Sequence, residues 1–189
     1  MSEYMVVGNG PSREGLDLNK FIGKLPVIGC NALARDYPEI DYIAYMDPGV
    51  RRELDNMGFP VKRMLIPTMK DEFEPPEYGV SRFKNNAGVF AMKNAVTMGA
   101  TKVYVLGIDC MYKTDSWLKN VYSDTDNYNV EGVHVEDQIR RQKYVDWFCS
   151  ANPKVKFIFA VPDNSYGFHP IVAKNVTGIT FESLEKKYA

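Results

Sequence analysis

The residues best equipped for chemistry near the start of the chain are Gly8-Asn9-Gly10-Pro11-Ser12, directly after the apolar run Met5-Val6-Val7. Gly8 and Gly10 let backbone pass close to a ligand with no Cβ in the way. Pro11 suits the first position of a helix, and Ser12 can donate or accept at its mouth. Backbone N–H groups in such a turn point at anions. Asn9, and Asn31 at the end of the next apolar run, offer neutral donors and acceptors suited to a base or ribose rather than a metal. From these residues alone, a phosphate seat and a plain strand-to-loop turn are equally good readings.

Two further groups have context. His134, one of two histidines, directly precedes a helical pattern. The helix N-terminus disfavours an imidazolium there, while Glu136 and Asp137 favour it. A neutral imidazole could take a proton from an attacking sugar hydroxyl, which is general-base work; a solvated loop histidine is the plain alternative. Asp109 closes the apolar run 102–109, where it can cap the following turn or meet a ribose or a metal-bound phosphate. His169 has no such context.

Several known patterns are excluded. A Walker loop needs a lysine and Ser/Thr after its second glycine, and neither is present. The dinucleotide fingerprint needs a third glycine where Arg13 stands, and an acidic residue at the end of the second strand, where Asn31 stands. "DTD" (124–126) lies in a polar loop rather than at the end of an apolar strand, so it reads as a solvated turn. Arg51 and Arg52 read as the wet face of a short helix. Cys30, Cys110 and Cys149 lack metal-ligand spacing and read as reduced thiols. No metal site is read.

These residues must be held by a scaffold, and the runs predict one. Apolar, β-branched segments at 4–8, 25–31, 41–47, 61–67, 102–109 and 155–162 read as buried parallel strands. Helical patterns fall at 49–58, 87–100 and 135–153, the last with Ile139, Val145 and Phe148 towards a core and Arg140 and Arg141 on a wet face. The alternation predicts an α/β, Rossmann-like three-layer sandwich with a mostly parallel central sheet flanked by helices. Such sheets bind ligands at the C-terminal ends of their strands. Those ends fall at 8–12, 29–31, 46–49 and 107–112. The polar stretch 110–134 carries Tyr112, Trp117, Tyr122 and Tyr128, and reads either as an aromatic lid loop or as a surface insertion. The whole of 1–189 reads as one nucleotide-binding domain with that lid.

With "VVGNGPS", "GCNALA", "NAGVFAMKNAVTMGATKVYVLGID" and "EGVHVED" in this order, the chain resembles the small bacterial sialyltransferases that use CMP-sialic acid. It is similar also to the 6-hydroxymethylpterin pyrophosphokinase-like (MptE-like) proteins, which share a GxGPS turn and a later strand ending G-x-D. The resemblance implies that Gly8, Asn9, Gly10, Ser12, Asn31, Asp47, Gly107 and Asp109 meet the nucleotide. It implies His134 as general base and Tyr112, one residue out of register, beside the leaving phosphate. Asn164 and Ser165 match a peripheral Pro-Asn-Ser segment. Ala87 stands where some members have serine, and the lid and C-terminal part are shorter than in the sialyltransferases.

Hydrophobic residues at 45%, charged residues at 25% and a formal net charge of −1 describe an ordinary globular chain with no field to gather nucleic acid. No apolar run approaches a membrane span, and a cytoplasmic setting is expected. The expected function is a glycosyl transferase using a CMP-linked sugar donor and a sugar or metabolite acceptor, with no cofactor required. The alternatives are an MptE-like pyrophosphokinase using ATP and Mg²⁺, held by Asp47 and Asp109, and a nucleotide-binding protein without catalysis. A homo-oligomer is left open.

Overall fold

A computed structural model of the chain describes residues 2–68, 86–113, 119–129 and 134–189. Among them seven strands form one sheet: β1 (Glu3–Val7), β2 (Val27–Cys30), β3 (Tyr42–Ala44), β4 (Met64–Leu65), β5 (Lys102–Leu106), β6 (Lys156–Val161) and β7 (Val176–Thr180). Their order is β4-β3-β2-β1-β5-β6-β7, and every pairing is parallel. The expected architecture is therefore present, with a sheet that is parallel throughout.

The helices are α1 (Pro48–Asn56), α2 (Ala87–Thr97), α3 (Val135–Ala151) and α4 (Phe181–Tyr188). Strand alternation sends successive side chains to opposite faces. Val6, Val103, Val105, Phe157 and Phe159 meet α2 and α3 in one core. Met5, Val7, Tyr104, Leu106 and Ile158 meet α1 and α4 in the other. Each helix begins on a side-chain cap: Asp47 on Gly49 N, Asn86 on Val89 N, His134 on Glu136 N and Thr180 on Ser183 N.

One expectation is corrected within α3. Ile139 is 41% exposed, whereas Tyr144, Val145, Phe148 and Cys149 are buried, so the core face runs through the helix's C-terminal half. None of the described helices is long and apolar enough to cross a membrane.

The strand order reverses between β1 and β5. The chain leaves β1 towards β2 on one side and leaves β5 towards β6 on the other. At this switch point the loops after the two strands are bonded together. Gly8 N donates to Leu106 O at 2.8 Å and Gly10 N to Gly107 O at 2.9 Å. Gly107 has φ 63°, and a Cβ on Gly8 or Gly107 would collide with the other's backbone. Both glycines are required by this close approach.

Candidate functional site

The GNGPS turn and the strand end Gly107-Ile108-Asp109 form one unit. Ser12 N donates to Asp109 Oδ2 at 2.9 Å, and the Ser12 hydroxyl donates to Asp109 Oδ1. Ser12 is fully buried and Asp109 is 4% exposed. Burial pushes the Asp109 carboxyl up, against the two Ser12 hydrogen bonds, which favour the charged form. Asp109 thus caps the turn that follows the neighbouring strand β1 rather than its own. Arg13 N and Glu14 N are likewise bonded within the turn, to Gly10 O and Pro11 O. The N–H groups of Gly8, Gly10, Ser12, Arg13 and Glu14 are therefore all engaged inside the protein in this conformation.

What the turn leaves open lies on its other side. The Asn9 side chain crosses to β2, where Nδ2 donates to Cys30 O at 2.8 Å. Asn31 follows Cys30 in a left-handed backbone conformation (φ 51°), which asparagine tolerates better than most residues. The Oδ1 atoms of Asn9 and Asn31 and the Nε of Arg13 are buried, with no hydrogen-bond partner among the described residues. Two acceptors and one donor thus remain unpaired around the C-terminal ends of adjacent strands, where each such group calls for an explanation.

The segment 119–129 lies over them. Val121 N donates to Asn9 O at 2.8 Å. The Tyr128 hydroxyl accepts from Ala32 N at 3.3 Å. Burial pushes the Tyr128 phenol up, against hydrogen bonds from Ala32 and the Asn9 side chain. Arg13 donates to the Tyr122 hydroxyl at 3.0 Å, which in turn donates to Asp36 at 2.6 Å. Arg35 lies over both rings, 5.3 Å from the Tyr122 centroid and 5.8 Å from that of Tyr128. It also grips Glu53 with two nitrogens and donates to Thr125 Oγ1 and Asp126 O. Tyr122 thus sits between Arg13 and Arg35, and Tyr128 lies between Arg35 and the Asn9–Ala32 edge. The aromatic spacing of 110–134 signalled this segment; the arginines that hold it were missed. Trp117, residues 114–116 and 118, and residues 130–133 lie outside the described residues.

The remaining sequence candidates separate. Asp47 is exposed and caps α1 through Gly49 N at 2.6 Å. His134 is exposed at the start of α3, and its Nδ1 accepts from Glu136 N at 3.3 Å. Tyr112 is 1% exposed and packs against Phe159, Tyr166 and Phe168; burial, with the nearby Asp109 carboxyl, pushes its phenol up. Asn164 and Ser165 are exposed beyond the end of β6, and Ala87 is buried at the start of α2. Asp124 and Asp126 are exposed in the turn between Tyr122 and Tyr128, as a solvated turn requires. Cys30, Cys110 and Cys149 are free and buried; burial pushes the thiols of Cys30 and Cys110 up to about 12, which disarms them as nucleophiles.

As ligands for Mg²⁺, Asp47 and Asp109 fit poorly. Each carboxylate is already engaged as a cap, and Asp109 is enclosed by Ser12 and Gly10. Among the described residues no group of three or more His, Cys, Asp or Glu side chains is arranged to hold a metal.

Comparison of the chain with models of protein families, with curated proteins and with solved structures gives no match.

Proposed function

We propose that the edge formed by Asn9, Asn31 and Arg13 receives the nucleoside part of a nucleotide-sugar donor, as in the CMP-sialic-acid-dependent sialyltransferases that the sequence motifs resemble. The observation that carries this reading is the pair of buried, unpaired amide oxygens on Asn9 and Asn31, with Arg13 Nε beside the same turn. Ribose hydroxyls or an amino group of a base would satisfy the two acceptors, and an ester oxygen or phosphate would satisfy the donor. Ser12 and Asp109 then serve as the brace that fixes the turn. The segment 119–129 acts as the lid, and its Tyr128 hydroxyl holds the Ala32 N–H until a ligand replaces it. His134 is the base of the transfer. Its Nδ1 accepts from Glu136 N, so that lone pair takes a proton from an acceptor hydroxyl only once the cap releases.

The test is a thermal unfolding series with CMP, CDP, ATP and NAD, each with and without Mg²⁺. CMP or CDP raises the midpoint without magnesium, and NAD does not. At a hundredfold excess over Kd the stabilisation is about 2.7 kcal/mol, which is a rise of roughly 5–10 °C for a chain of this size. Asn9→Ala and Asn31→Ala abolish the rise. Stabilisation by ATP only with Mg²⁺ would transfer the reading to a pyrophosphokinase, and no response to any nucleotide would remove it.

A further inference from the structure

A second concavity opens on the same edge of the sheet, beyond the ends of β6 and β7. It has a volume of about 180 Å³, and its lining includes Tyr112, Asp163, Asn164, Tyr166, Phe168 and Ile179 of β7. Its inner wall is firmly built. Tyr112 and Phe168 face each other in an antiparallel bridge. On either side of it, Lys113 N donates to Gly167 O at 2.8 Å and His169 N to Met111 O at 2.9 Å. The rings brace one another: Tyr112 meets Tyr166 edge-on at 5.5 Å and Phe168 at 5.6 Å.

The chemistry of this lining is selective. Tyr112 is 1% exposed, and its hydroxyl has no hydrogen-bond partner among the described residues. Asp163 accepts from Ser165 N at 2.7 Å and from the Ser165 side chain, and its carboxylate is otherwise exposed to solvent or a ligand. Among the described residues no Lys, Arg or His lines the cleft, so there an anion would meet a carboxylate and no counter-charge. The volume lies below the roughly 300–1,000 Å³ of sites for drug-sized ligands, which restricts the occupant to about one ring. The aromatic rings pack on each other and leave no slot for a flat ring between them. A quaternary ammonium would suit the aromatic faces but could not satisfy the Tyr112 hydroxyl.

We propose that this cleft binds a single neutral or amino-bearing sugar ring, with its C–H face on Tyr166 and Phe168 and its hydroxyls on Asp163, Asn164 and the Tyr112 hydroxyl. An apolar ring face beside several hydroxyls matches aromatic side chains beside a carboxylate, an amide and a phenol. The proposal stands on this cleft alone and does not require a nucleotide at Asn9 and Asn31.

The test is saturation-transfer NMR on the full chain without nucleotide, using methyl galactoside, N-acetylglucosamine, glucosamine, N-acetylneuraminate and choline as probes. At least one neutral or amino sugar receives saturation through its ring protons, with a Kd on the order of millimolar. Tyr166→Ala abolishes the transfer, and Asn164→Ala weakens binding about tenfold. Tyr112→Phe is the discriminating variant. It removes an unpaired buried hydroxyl, so the midpoint of unfolding stays level or rises while sugar binding weakens. The proposal is overturned if no sugar receives saturation, or if Tyr166→Ala and wild type behave alike. It is equally overturned if choline or N-acetylneuraminate binds more tightly than every neutral and amino sugar.

Discussion

Ser12 and Asp109 are 97 residues apart in the chain and make two hydrogen bonds in the interior. The glycine between the turn's two ends is what allows it, since a Cβ on Gly10 would run into the Asp109 carboxyl group. Gly10→Ala therefore either displaces Asp109 or deforms the turn. The expected cost is roughly 1–3 kcal/mol, or a fall of roughly 3–10 °C in the unfolding midpoint, measured by calorimetry. Gly167→Ala is the comparison: neither Gly10 (φ −69°) nor Gly167 has a positive φ, but nothing lies within 4 Å of a Cβ added at Gly167. A Gly10→Ala variant as stable as wild type would show that Asp109 is not held as described. The residue types of the turn were legible in the sequence, and so was Asp109 at the end of a strand. Their pairing was not. A contact across β1 and β5 depends on strand order, which no local pattern of glycines and carboxylates encodes.

At the scale of elements, the segment 119–129 is held at several points along the sheet edge, the Arg13–Tyr122–Asp36 chain among them. Val121 N, Ala32 N and the Arg35 side chain carry much of its attachment to the sheet edge. Arg35→Ala removes two ring contacts and two hydrogen bonds to this segment, and leaves Glu53 with Asn127 as a remaining partner. Local opening then becomes easier by about 1–2 kcal/mol, which is about 5–30-fold faster amide exchange at Val121 and Ala32. Exchange in β1 and β5 stays slow. Unchanged protection at Val121 and Ala32 would mean that the arginine does not clasp the segment. The same scale explains what the sequence hid about the fold. β1, β2, β5 and β6 were legible because their apolar, β-branched runs are buried on both faces. β7, Val176–Thr180, was not, because it is an edge strand with exposed Thr177 and Gly178. β4 shrinks to Met64–Leu65 because a 3₁₀ turn takes Val61–Arg63. Tyr112 was read towards a phosphate. Its bridge to Phe168 packs it against β6, and that bridge depends on a loop more than fifty positions later in the chain.

At the scale of the molecule, the first strand of the sheet is joined to the helix that follows its last strand. Glu3 on β1 bonds Lys102 on β5 at 2.7 Å, Lys187 on α4 at 2.7 Å and the Tyr188 hydroxyl at 2.5 Å. Burial pushes the Glu3 carboxyl up, but these three partners outweigh it and bring it down to about 2 from 4.5. A carboxyl whose folded value is depressed stabilises the protein above its unfolded value and loses that contribution as pH falls through the folded one. Stability should therefore decline as pH falls from about 4.5 towards 2, and Glu3→Gln should flatten that part of the profile while lowering stability at neutral pH. Equilibrium denaturation at several pH values checks this. Parallel profiles for the two proteins would mean that Glu3 is not the group that titrates.

The strand order has a further consequence, for the order of synthesis. β1 precedes every other strand of the sheet in the chain yet lies in its interior, with Glu3 beside Lys102 and Val7 beside Leu106. While the ribosome is still making residues up to 101, β1 can pair only with β2. Its other edge, carrying Met5, Val6 and Val7, stays open to any strand that reaches it. The nascent chain is thus most exposed to mispairing in the interval before β5 emerges. The loops that stitch Gly8 to Gly107 can form only after that interval has closed.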